Sequence, residues 1–315
     1  LQEAFNLINN SSHIVFASHV NPDADTLGSA LGLMHAFKTM GKKLTLYNQG
    51  ELPKTLDFMP GFELITDVFP KDADLVVALD CGDIKRLGLG AGAYKIVNID
   101  HHASNPLYGD ENIVMPKAAS TASVVVDFLR YCQIRPSAES ATCLYAALAS
   151  DTGFFKYEST NEKAFLDAAY LCECGAKAAD VARLMTQRES LSKIKLLSKI
   201  LATLELAAGG KMAYVYMTKQ MLDEAGAKQD EADGAVEMAR SIDGVEVGLF
   251  LRELDGGHIR GSLRSKSYID VNSLAALFGG GGHVRAAGFT IKNELLFADA
   301  AKKIADTIET HILKG

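Results

Sequence analysis

Residues 13–32 read HIVFASHVNPDADTLGSALG, and this stretch decides the architecture of the first half of the chain. The run His13 to Ser18 is short and apolar, as a parallel strand buried on both faces should be. It hands over to Asn21-Pro22, a turn pair. From Thr26 to Met40 the residues Leu27, Leu31, Met34 and Phe37 then fall on one helical stripe. Gly28-Ser29 reads as the point where the start of that helix packs close to the sheet. Between strand and helix stand His19, Asp23 and Asp25, one imidazole and two carboxylates at the end of a buried strand.

Outward from this stretch the pattern recurs. KLTLYN (43–48), LVVALD (75–80) and YKIVNID (94–100) are further apolar runs bounded by polar punctuation, with helical periodicity in several of the gaps. Helices are expected over Ser120 to Cys132, Ala138 to Ala149 and Asn161 to Cys174. This is an α/β pattern with a doubly wound parallel sheet. Residues from Ala179 to Ala208 are helix-forming and predict a helical connector ending at Gly209-Gly210. Beyond it, MAYVYM and a hairpin turning at Asp255-Gly256-Gly257 precede FGGGGHVRAAGF (278–289) and a closing helix from Leu295 to Leu313. The expected organisation is a domain over 1–185, a helical linker over 186–209 and a smaller α/β domain over 210–315.

The 315 residues are 48% hydrophobic, enough for two packed cores. The net charge of −7 and the lack of a long basic block argue against extensive binding to duplex nucleic acid. Small anionic substrates stay open, because local cations outweigh global charge at short range. Five cysteines, an odd number without framework spacing, read as reduced thiols of a cytoplasmic protein. The lone Cys172-Glu-Cys174 lacks the four ligands of a structural zinc site. No apolar run approaches the ~18 residues of a membrane span.

The chemistry-bearing residues collect at predicted strand ends: His19, Asp23 and Asp25, then Asp80, then Asp100, His101 and His102. Asp151 follows an apolar helix at a Thr-Gly turn. Any one of these acids is an ordinary turn former or helix cap. Their recurrence is different, because open parallel sheets gather their strand ends at one crevice. Several unpaired acids there would repel and be desolvated, a cost that divalent cations remove. Carboxylates mixed with imidazoles favour Mn²⁺, Co²⁺, Fe²⁺ or Zn²⁺ over Ca²⁺ or Mg²⁺. The Asp-x-Asp spacing suits two ions, which at about 3.5–4 Å apart clamp a phosphate undergoing in-line displacement.

His19-x-Asn-Pro-Asp-x-Asp-x-x-Gly-Ser29, Asp80, Asp100-His101-His102 and Ser150-Asp151-Thr152-Gly153 resemble, in order, the four motifs of the DHH phosphoesterase family. Gly279-Gly280-Gly281-Gly282-His283 resembles the signature of the DHHA1 domain. The combination is similar to the bacterial nanoRNase and pAp-phosphatase subgroup. The resemblance implies that His19, Asp23 and Asp80 hold one ion, and that Asp25, Asp80, His101 and Asp151 hold the second, with Asp80 bridging. It implies two divalent metal ions, Mn²⁺ first, with Mg²⁺ or Co²⁺ as alternatives. His102 would face the substrate phosphate and assist the leaving group, and Asp100 would orient a histidine. Arg264 and His283 would bind substrate, joined by Gly281, Gly282 and Arg285, although a flexible glycine loop with a solvated histidine also accounts for that segment.

The implied activity is hydrolysis of short single-stranded RNA or DNA and of linear dinucleotides to mononucleotides, with dephosphorylation of pAp to AMP. The substrate would lie between the two domains, and a homodimer is an open option. Related motifs also serve manganese inorganic pyrophosphatases, RecJ-like single-strand exonucleases and cyclic-dinucleotide phosphodiesterases. A non-catalytic nucleotide-binding sensor of the same fold is the alternative outside enzymology. Loss of a metal ligand would mark such a sensor, and every expected ligand type is present.

Overall fold

All six residues of β1 (His13–Ser18) are buried, which is why an uninterrupted apolar run is needed there. The computed structural model describes residues 1–293 and 295–314. By contact pattern the chain divides into two units, Leu1–Arg188 and Glu189–Gly315.

In the first unit β1 is joined by β2 (Lys43–Tyr47), β3 (Ile65–Thr66), β4 (Leu75–Leu79), β5 (Lys95–Asp100) and β6 (Glu111–Val114). The sheet order is β3-β2-β1-β4-β5-β6, and every neighbouring pair is parallel. The order reverses between β1 and β4, so the loops leaving these two strands part there and open a crevice at their carboxyl ends. This is the parallel α/β sheet expected from the apolar runs. β3 and β6, short and weakly patterned, were not anticipated.

The helices of this unit are α1 (Gln2–Asn10), α2 (Ala24–Phe37), α3 (Thr121–Tyr131), α4 (Ala138–Asp151), α5 (Glu162–Glu173) and α6 (Ala178–Thr186). Every residue of α2 except His35 is buried, because the helix is wedged between the sheet and α4. A Cβ on Gly28 would stand 2.5 Å from the carbonyl oxygen of Cys143 and 2.9 Å from Ala147 Cβ. Gly28 therefore serves the approach of α2 to α4, not to the sheet as the sequence suggested. That approach brings Asp25, in the first turn of α2, toward Asp151 at the end of α4. The other face of the sheet is covered by connecting segments, with Phe69 in aromatic contact with both Tyr47 and Tyr94.

The second unit contains α7 (Leu191–Leu201), β7 (Glu205–Ala207), β8 (Met212–Met217), α8 (Lys219–Ala225), α9 (Ala235–Ser241), β9 (Val247–Glu253), β10 (His258–Ser265), α10 (Val271–Ala276), β11 (Gly281–His283), β12 (Ala286–Lys292) and α11 (Phe297–Lys314). Its sheet order is β11-β12-β10-β9-β8-β7, with β8-β9 parallel and the other pairs antiparallel. Residues 186–209 are not one helical linker. Leu196, Leu197 and Ile200 of α7 are buried in a core with α9 and one face of the sheet, and Glu205–Ala207 is an edge strand. Helical spacing alone cannot tell a connector from a helix packed in a core.

Candidate active site

The carboxyl ends of β1, β4 and β5 deliver His19, Asp80 and Asp100 to the crevice. Asp80 sits in the left-handed region (φ 54°), unusual outside glycine, and Asn21 in the first loop does the same (φ 54°). Asp23 caps α2, accepting from the backbone N–H of Asp25 and Thr26 at 3.0 Å each. It is thus the turn-and-cap residue its sequence context suggested, and it also joins the cluster. Three groups have ligand atoms within 4.8 Å of one another: His19, Asp23 and Asp80; Asp25, His101 and Asp151; and Asp80, His101 and His102.

Asp80 joins two of these groups. Its Oδ2 lies 3.7 Å from His19 Nε2, while Oδ1 lies 3.7 Å from His101 Nε2. His101 Nε2 is also 3.5 Å from Asp151 Oδ2 and 3.9 Å from Asp25 Oδ2. Asp25 and Asp80 are almost fully buried. Backbone N–H groups of Thr121 and Ala122 donate to Asp25 at 2.7 and 3.1 Å, and Thr121 Oγ1 donates to Asp80 at 2.8 Å. These donors do not offset the crowding. Burial, then the charges of Asp80 and Asp151, push the Asp25 carboxyl well above its ordinary range. Burial prevails over the opposing effect of His101 and, with Asp80 and Asp23 adding to it, pushes Asp151 up to about 6. Buried carboxylates that repel one another and share imidazole neighbours are a donor set suited to divalent cations.

Asp100 occupies a different position. Its Oδ1 lies 2.7 Å from His102 Nδ1 and accepts from the backbone N–H of His101 at 2.7 Å. Oδ2 accepts from Asn105 Nδ2 at 2.5 Å. Burial opposes its ionisation, but the His102 and Asn105 hydrogen bonds win and hold its pKa below the ordinary value. The same hydrogen bond pushes His102 up to about 9, against the effect of burial. His102 therefore carries a proton near neutral pH on a half-exposed ring.

The second unit supplies an opposite charge. A cavity of about 520 Å³ is lined by Arg252, Arg260, Ser262, Arg264, Gly280 and Gly281 among others. Arg260 and Arg252 face each other across the β9–β10 pair, a like-charge placement that an anion would relieve. Arg252 lies 5.1 Å over the Phe250 ring, with its buried Nε unpartnered among the described residues and burial lowering its pKa. Arg264 and His283 are both register partners of Ala286, one from each flanking strand, so the sheet aligns them in one row. Of the other expected substrate contacts, Gly281 lines the cavity, whereas Gly282 N donates to Asn272 Oδ1 at 2.9 Å. Arg285 Nη1 donates to the Ile269 carbonyl at 2.9 Å, so its guanidinium is engaged in holding a neighbouring turn.

Sequence reasoning passed over several residues. Arg260 and Ser262 share with Arg264, which was expected, a period-two alternation along one strand, a signal that was available. Arg252 required the hairpin register. Thr121, Asn105 and Arg86, whose Nη2 lies 2.9 Å from His19 Nδ1, touch the cluster only through the fold.

Residues 13–148 match the DHH family, N-terminal domain, and residues 209–310 match the DHHA1 domain. The bifunctional oligoribonuclease and PAP phosphatase NrnA of Thermus thermophilus is 34% identical over 305 residues, covering 96% of this chain and 91% of that protein. The Bacillus subtilis protein of the same name is 27% identical, covering 94% of each chain. A solved structure, an exopolyphosphatase-related protein from Bacteroides fragilis, is similar with a TM-score of 0.87 at 27% identity, covering 100% of this chain and 97% of that one. Similarity of that extent, reaching across both domains, makes this chain a member of the DHH family of phosphoester hydrolases, with a DHHA1 domain in its C-terminal part.

Proposed function

We propose that the protein is a Mn²⁺-dependent phosphoesterase that degrades short oligonucleotides and linear dinucleotides to mononucleotides and converts pAp to AMP. The observation that carries this reading is the splayed carboxylate of Asp80, one oxygen facing His19 and the other facing His101. His19, Asp23 and Asp80 would hold one ion, and Asp25, Asp80, His101 and Asp151 the other. Two divalent cations supply such a site with Lewis-acid charge for a phosphate and an attacking water.

The chain's own residues have distinct tasks in this proposal. Thr121 fixes Asp25 and Asp80 by hydrogen bonds. Asp100 orients His102 through Nδ1, leaving Nε2 to give its proton to the departing sugar oxygen. The C-terminal domain, expected over 210–315 and extended by the packed α7, holds a further phosphate or nucleoside through Arg264 and His283, with Arg252 and Arg260 added by the cavity lining. The catalytic domain is taken as 1–185. An activity on short substrates fits the printed names of the relatives and the lack of a long basic block. A reducing, cytoplasmic setting fits five cysteines that are all free. Among the described residues no helix is long and apolar enough to cross a membrane.

The test is direct. The protein is incubated with Mn²⁺, or with EDTA, and separately with labelled RNA of two to about twenty-four nucleotides, matched DNA, pAp and pyrophosphate. Mn²⁺-dependent rates should be highest on the shortest RNAs and on pAp. Rapid pyrophosphate hydrolysis with inert dinucleotides would overturn the proposal.

A further inference from the structure

The turn after Asp151 presents an exposed ring that the phosphate chemistry leaves unused. The chain leaves α4 through Thr152 and places three consecutive residues in the left-handed region, Gly153 (φ 56°), Phe154 (φ 56°) and Phe155 (φ 63°). That conformation is unfavourable for phenylalanine, at roughly 1–2 kcal/mol per residue. Hydrogen bonds fix it: Lys156 and Tyr157 both donate their N–H to the Thr152 carbonyl, at 2.9 and 3.0 Å. Ser159 Oγ donates to the carbonyl of Asp151 itself at 3.4 Å, so the turn closes back on a residue of the acidic cluster.

Phe155 is accounted for by packing, since it stacks on Phe165 with centroids 5.2 Å apart. Tyr157 is not. Its ring lies against the backbone of Gly153, where an added Cβ would stand 2.5 Å from ring carbons on the hydroxyl end. Glycine is required there for the ring to lie so close. Yet Tyr157 remains 61% exposed, and its hydroxyl has no hydrogen-bond partner among the described residues. A large aromatic surface is thus braced on Gly153, two residues beyond Asp151, and left in water. A hydrophobic core makes no use of it there.

We infer that Tyr157 is a stacking platform for the nucleobase next to the phosphate processed at the Asp80 centre. The inference rests on the nuclease reading above. A substrate of two or three nucleotides offers few phosphates to grip, and an aromatic face adds affinity for any base without demanding a sequence. Bracing against Gly153 presents the ring in one orientation, so little side-chain freedom is lost when a base settles on it.

The test compares wild type with Tyr157→Phe, which keeps the ring, and Tyr157→Leu, which keeps apolar cover over Gly153 without it. Two substrates are used: a diadenylate, and its analogue with a base-free sugar in place of one nucleoside. For the diadenylate, Tyr157→Leu should raise KM about 5- to 100-fold, the effect of deleting one aromatic stack, with kcat near wild type. Tyr157→Phe should match wild type. On the analogue whose missing base is the stacked one, the difference between wild type and Tyr157→Leu should vanish. As a second readout, a 2-aminopurine dinucleotide should lose fluorescence on mixing with wild type, before product forms, and not with Tyr157→Leu. Equal KM values on the diadenylate, or equal quenching by both proteins, overturn the platform while leaving the nuclease reading intact. A wild type that neither binds nor cleaves the dinucleotide removes both.

Discussion

The two domains place opposite charges on the surfaces proposed to meet a phosphate. In the first, the site is made where a parallel sheet reverses its strand order, and its groups arrive on loops that leave β1, β4 and β5 and on the ends of α2 and α4. Its charges are acidic, buried and mutually repelling. In the second, the groups project from the face of an antiparallel hairpin, and they are arginines around a cavity of about 520 Å³. The first arrangement needs a cation to become attractive to an anion, while the second attracts one unaided. Charge sign therefore separates the site proposed for chemistry from the site proposed for holding.

The contrast breaks most sharply at Asp80. Asp80→Asn should reduce Mn²⁺-dependent turnover on the order of 10³-fold, the scale of losing one key electrostatic group. In EDTA the same variant should melt above wild type, because a carboxylate that repels Asp25 has been neutralised. Thermal melts with and without Mn²⁺ check this, and an Asp80→Asn protein stabilised by Mn²⁺ as strongly as wild type would refute it. Arg264→Ala should cost about 1.5–3 kcal/mol of substrate binding, the worth of a charged hydrogen bond, and leave the Mn²⁺-induced rise in melting temperature unchanged. Comparable losses in metal response would mean that the two sites are not separable.

Smaller effects sharpen how each domain supports its site. Gly28→Ala forces α2 from α4 and should destabilise the protein by about 1–3 kcal/mol by denaturant unfolding. It should also weaken Mn²⁺ binding, since Asp25 and Asp151 ride on those two helices. In the second domain the lever is Glu246, whose buried carboxylate accepts from the backbone N–H of Ser267, Tyr268 and Ile269. Burial opposes its ionisation, but these donors prevail and hold its pKa below the ordinary value. Its contribution is therefore present above about pH 4.5, the unfolded range, and is lost as pH falls through the lower folded value. Glu246→Gln should cost about 1 kcal/mol at pH 7 and progressively less in acid, with little effect on Mn²⁺ binding.

Much of this molecule was legible before any coordinate. β1 and β4 announce themselves because strands buried on both faces must be apolar nearly throughout, and β2 and β5 by apolar residues that become buried toward their carboxyl ends. The residues that follow them are then polar for a reason other than solubility. The helices over 121–131, 138–151 and 162–173 followed from periodicity, each with a Ser or Asn at its N-cap. Where the reading failed, a local pattern had two tertiary solutions. The spacing of α7 suits a connector or a core helix equally, and its burial with α9 decided between them. Gly28 signals close approach without saying to what.

The spacing of His19, Asp23 and Asp25, the strand-end Asp80 and the Asp100-His101-His102 triplet were therefore properties of the chain, set by where buried strands must stop. That Asp80 turns one oxygen to each histidine, that Asn105 holds the Asp100 carboxylate that meets His102, and that Arg252 faces Arg260 were not. Those facts depend on strand order, register and helix packing, which join residues far apart in sequence, and only the closed fold sets such distances.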